Sequence, residues 1–125
     1  MLARDPDGAA VIVPTAFAPE YNHEVYLETL KKIAAMDLDL LGFGHFGAID
    51  DPAPALQAAA QKAEWLHGLV LELINETKTR DQVLDLLEAD FGPALISVYD
   101  NPQRMRVAFK SLISGARQSL ERKLN

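Results

Sequence analysis

From Leu56 to Ile74 apolar side chains return at steps of three and four, with Leu56, Ala60, Ala63, Leu66, Leu69, Val70, Leu73 and Ile74 on one stripe. This is the period of an amphipathic helix. A helix from Ala55 to Glu76 would reach roughly 33 Å at 1.5 Å per residue, enough to cross a small domain. Whatever fold the chain adopts must cover that stripe. The acidic pair Asp50-Asp51, with Pro52 and Pro54, marks where the helix opens, since acidic caps and first-turn prolines suit a helix start.

The rest of the chain beyond Pro52 also reads as helix. Thr79 and Gln82 have capping-box spacing ahead of Val83, Leu86, Leu87 and Phe91, and Gly92-Pro93 predicts a stop. The run from Ala94 to Tyr99 is too short for periodicity to decide and is read as helical. Asn101-Pro102 caps a last helix with Met105, Phe109, Leu112 or Ile113, Ala116 and Leu120 on one face and Arg104, Lys110 and Arg117 on the other.

Residues 1–52 differ in character. Ala9 to Val13 is a short β-branched run expected as a buried strand. Pro19-Glu20 then open a helix carrying Tyr26, Leu27, Leu30, Ile33 and Ala34, which ends near Met36-Asp37. Leu38, Leu40, Leu41 and Phe43 form a second strand-like run closed by Gly42, Gly44 and Gly47. Strand, helix, strand is the parallel crossover unit of an α/β sheet. The expected fold is therefore mainly α, with a small strand-helix-strand unit in residues 1–52 and a helical region in residues 53–125. Two strands do not make a stable sheet, which points to missing upstream structure.

Composition excludes several functions. The 125 residues carry a net charge of −6, which repels phosphate backbones and anionic lipid, so neither nucleic acid nor a membrane is an expected partner. No cysteine is present, so a metal must be held by histidine and carboxylates. No stretch suits a signal peptide or a membrane span, and the expected location is cytoplasmic. Glycine-rich phosphate loops and Gly-x-Ser-x-Gly elbows are also absent from the sequence.

Three histidines could carry chemistry. His23, among polar neighbours in the first helical turn, is expected on the solvated surface with no role. His67, beside Trp65 and Gly68 in the long helix, is read as a structural residue. His45 stands apart, because Gly42-Phe43-Gly44-His45-Phe46-Gly47 places it at the carboxyl end of a predicted strand, where open α/β sheets form their ligand crevice. Asp50 and Asp51 follow closely, and Asp100 and Asn101 have the same cap-like setting; both pairs are read as caps.

The sequence from Val13-Pro14-Thr15-Ala16 through Pro19-Glu20-Tyr21, Tyr26-Leu27, Asp37-Leu38 and Gly44-His45-Phe46-Gly47 to Asp50-Asp51-Pro52 resembles the end of metallo-β-lactamase-superfamily hydrolases. Trp65 on the long helix matches the subgroup with an added helical C-terminal region. The resemblance implies the C-terminal part of an αββα metallo-β-lactamase fold, with His45 as a metal ligand of the second site. It implies two metals, most often zinc, in the parent enzyme, where bound water loses its proton near neutral pH and attacks an ester-like or amide bond.

The family's His-x-His-x-Asp-His motif, its middle histidine and its bridging aspartate are missing from this sequence. The chain is thus expected to be a piece of a longer enzyme. It would have no catalytic residue of its own and no tightly bound zinc, being inactive without an upstream catalytic domain. A homodimer through the long and last helices is expected as well. The alternative reading is a non-enzymatic helical self-association module.

Overall fold

A computed structural model describes residues 1–17, 20–42 and 48–124. In chain order it has β1 (Leu2–Arg4), β2 (Ala10–Ile12), α1 (His23–Ala34), β3 (Leu41–Gly42), β4 (Ala48–Ile49), α2 (Pro52–Ile74), α3 (Arg80–Tyr99) and α4 (Pro102–Leu124). Most of the molecule is helix, as expected.

The strands depart from expectation. β2 pairs antiparallel with β1, Leu2 facing Ile12 and Arg4 facing Ala10, and β3 pairs antiparallel with β4 in a separate sheet. Among the described residues β2 and β3 do not pair as a parallel strand-helix-strand unit, and the αββα arrangement is not seen. The reason is local. Asp5-Pro6-Asp7-Gly8 makes a tight turn in which the Gly8 N–H donates to the Asp5 carbonyl at 2.8 Å, with Gly8 at φ 89°. Proline presets the bend and glycine takes the left-handed position at little cost. The turn gives β2 a partner a few residues away, and so short a closure loses less entropy than a crossover over a helix.

α1 begins at His23, with the Asn22 side chain accepting from the Val25 N–H at 3.1 Å. The expected opening at Pro19 lies outside the described residues. α2 starts as anticipated at Pro52, with Asp51 in the cap position, yet Asp51 makes no capping hydrogen bond. Between α2 and α3 both halves of the capping box are present: the Thr79 N–H donates to Gln82 Oε1 at 2.8 Å and the Gln82 N–H to Thr79 Oγ1 at 3.2 Å.

The predicted stop at Gly92-Pro93 is also corrected, because α3 runs through both residues to Tyr99. An interior proline costs about 3 kcal/mol. Around it Phe91, Ala94 and Leu95 are buried on one face, and each large apolar side chain fully buried returns ~1.5–3 kcal/mol. Packing outweighs the missing hydrogen bond.

The main core lies among α2, α3 and α4. Leu66, Leu69 and Val70 meet Val83, Leu84, Leu87 and Phe91 from α3, and Phe109, Leu112, Ile113 and Ala116 from α4. Ala3, Val13 and Ala16 close one end of it. Leu66, Leu69 and Val70 of the α2 stripe, with the stripe of α4, are therefore buried within one chain, while Leu56 and Ala60 line an apolar depression beside α1. A smaller cluster of Leu2, Ile12, Ala55 and Ala59 seats the β1–β2 hairpin on the start of α2. Among the described residues, no helix is long and apolar enough to cross a membrane.

Candidate functional site

His45, the expected metal ligand, lies outside the described residues. Its flanks are described: β3 ends at Gly42, β4 begins at Ala48, and α2 opens at Pro52. Among the described residues, no group of three or more histidines or carboxylates is placed to hold a metal ion.

The structure instead brings together the two histidines that sequence reasoning set aside. His23 is buried, not solvated, because the end of α4 crosses the start of α1; its N–H donates to Ser119 Oγ at 3.0 Å across 96 residues of sequence. His67 reaches the same place from α2. The two imidazole rings stack with centroids 4.0 Å apart and planes 23° apart. His67 is thus packed against His23, and its Nδ1 is buried with no hydrogen-bond partner among the described residues.

Further groups complete the cluster. The Tyr21 hydroxyl lies 2.8 Å from His23 Nδ1, and His23 Nε2 faces Glu64 Oε1 at 3.7 Å. With the tyrosine donating to Nδ1, the imidazole proton sits on Nε2 toward Glu64. Burial pushes the Tyr21 hydroxyl well above the ordinary range for a phenol, helped by Tyr26 and Glu64; it acts as a donor, not as a phenolate. Burial likewise lowers the pKa of His67, and the neighbouring His23 adds to that, since two stacked imidazoles resist carrying two charges.

α4 contributes the cationic part. Arg122 Nη2 donates to the Tyr21 carbonyl, and Lys123 Nζ meets Glu24 Oε1 at 2.6 Å. The lysine's hydrogen bond and charge hold the Glu24 carboxyl below its usual value. His23, Glu24, His67, Ser119, Arg122 and Lys123 wall a cavity of about 230 Å³.

Only part of this cluster had a signal in the sequence. Glu64 and His67 stand three residues apart on one helix and so share a face. Nothing local joins Tyr21 and His23 to Ser119, Arg122 and Lys123; that contact exists only once α4 has packed. Comparison with family models, with curated proteins and with solved structures gives no match for this chain.

Proposed function

We propose that the chain is the C-terminal region of a cytoplasmic metal-dependent hydrolase of the metallo-β-lactamase superfamily, in which His45 is one ligand of a two-metal, most often zinc, site. The observation that carries the reading is the order Gly44-His45-Phe46-Gly47, Asp50-Asp51, Pro52 at the entry to a long helix bearing Trp65.

One imidazole does not make a metal centre, because a zinc site takes about three protein ligands, and the described residues add no such set. The remaining ligands would come from an upstream catalytic domain, the partner this reading requires. Its seat would be the face built by α1, α2 and the two hairpins. There Leu27, Leu30, Ala34, Leu56 and Ala60 line an apolar depression of about 390 Å³, while Met36 and Leu40 stand exposed nearby in sequence. The packed α2–α4 unit would wall the substrate cleft.

The reading frame around this chain supplies the first test. An in-frame His-x-His-x-Asp-His motif upstream is the expected finding, and its absence favours the non-enzymatic helical module. In the longer protein, His45→Ala should lower metal content from about two ions to one and reduce turnover strongly, with melting unchanged. Two metals and normal turnover in that variant would overturn the assignment. Zinc titration of the present chain should show only weak binding; a stoichiometric sub-micromolar site would refute the single-ligand role.

A further inference from the structure

The cavity at the junction of α1, α2 and α4 has a local charge opposite in sign to that of the molecule. The chain as a whole carries −6, yet the cavity lining holds Arg122, Lys123 and two imidazoles against Glu24, with Glu64 3.7 Å from His23 Nε2. Clefts of one sign with low-dielectric walls concentrate counter-ions. At about 230 Å³ it has the volume of several waters, at roughly 30 Å³ each, which is room for a tetrahedral anion and a small organic group.

We propose that this cavity binds a small oxyanion of the phosphate-monoester class, held by Arg122 and Lys123 and contacted by the His23–His67 pair. The proposal is independent of the role given to His45.

Three features support this choice of ligand. Donors come from separate elements, α4 for the two cations and α2 for the His67 imidazole, while the ring nitrogens of His23 face Tyr21 and Glu64; a tetrahedral anion offers oxygens in several directions, whereas a carboxylate offers two in one plane. Lys123 is already engaged by a carboxylate oxygen, that of Glu24, in a pair whose side chains are both well exposed. Such pairs are weak and exchangeable, so an incoming oxyanion can replace Glu24 at the ammonium. The buried His67 Nδ1 beside His23, unpartnered among the described residues, is the third feature.

Protonation of His67 is opposed by burial, by the neighbouring His23 and by Lys123, and is favoured by Glu64; Arg122 and Glu24 also line the cavity, and burial keeps Tyr21 and Tyr26 neutral. A bound dianion shifts that balance toward the imidazolium form, so binding takes up protons from solvent.

Sulfate, whose charge does not change between about pH 6 and pH 8, is the probe for that linkage. Calorimetric titration in two buffers of different ionisation enthalpy should show proton uptake, with binding tighter at the lower pH by up to about tenfold per pH unit for each linked proton. Methyl phosphate should bind at least as well as sulfate, and acetate much more weakly. Lys123→Gln should weaken sulfate about tenfold, while His67→Asn should remove most of the proton uptake; melting curves of both variants show whether the fold is kept. Loss of saturable sulfate binding below about 10 mM in the unaltered chain would overturn the proposal. So would binding without proton uptake that His67→Asn leaves unchanged, which is the behaviour of an adventitious ion only, or acetate binding as tightly as methyl phosphate.

Discussion

Gly68 shows how one side chain can set stability without touching function. It sits in the interior of α2 with nothing within 4 Å of where a Cβ would be. Gly68→Ala should raise the unfolding free energy by about 1 kcal/mol, the difference in helix propensity between the two residues; a denaturant titration checks it. Met1 makes the opposite contribution. In a chain that begins at Met1, its amine donates to the Val13 carbonyl at 2.9 Å, and burial lowers its pKa from 8.0 to about 6. Between those values the unfolded chain binds more protons than the folded one, so stability rises with pH through that window and is lost as pH falls to the folded value. After discount for partial exposure the effect is about 1–2 kcal/mol. Acetylating the amine keeps the N–H donor and removes the charge, so denaturation near pH 6 should show the acetylated chain to be the more stable, with little difference above pH 8. His23 is the residue whose setting the sequence did not disclose. Its neighbours are polar, and what buries it lies in α4, where no local pattern reaches.

The elements were readable wherever a signal is short-range. The stripes of α2 and α4 and the Thr79–Gln82 box needed only a helical period or a three-residue spacing, and the structure has them in place. Thr79→Ala should remove the bond from the Gln82 N–H to the hydroxyl while keeping the backbone N–H that Gln82 Oε1 accepts from, and cost about 1 kcal/mol, read as a lower denaturation midpoint with an unchanged slope. β1 is not legible by itself, because Leu2-Ala3-Arg4 is too short for a period and becomes half of a hairpin only through the turn at Asp5-Pro6-Asp7-Gly8. α3 was cut short at Gly92-Pro93 for a different reason: propensity is local, whereas the burial of Phe91 and Leu95 that carries the helix through depends on two other helices. The candidate site divides in the same way. His45 was singled out from its glycine-flanked setting, a pattern within six residues, while the His23–His67 cavity arises from three elements meeting.

For the whole molecule the question is whether the long helix needs a second copy of the chain. Leu69 is buried in the core shared by α2, α3 and α4, so Leu69→Ala should destabilise by about 2–5 kcal/mol. If the stripe held two chains together, the same change would also lower the sedimenting mass; the expected result is a lower melting temperature with unchanged sedimentation. The apolar depression between α1 and α2, which includes Leu56 and Ala60 of the same stripe, is open at the surface. The closure of α4 on α1 has a consequence for synthesis. Ser119, Arg122 and Lys123 all contact residues 21–24. On the ribosome, where early segments emerge and pack first, the start of α1 must wait for nearly the whole chain before His23 is covered. A nascent chain halted within α4 would therefore present the Tyr21–Glu24 segment uncovered to chaperones and proteases, and only emergence and packing of residues 119–123 would withdraw it.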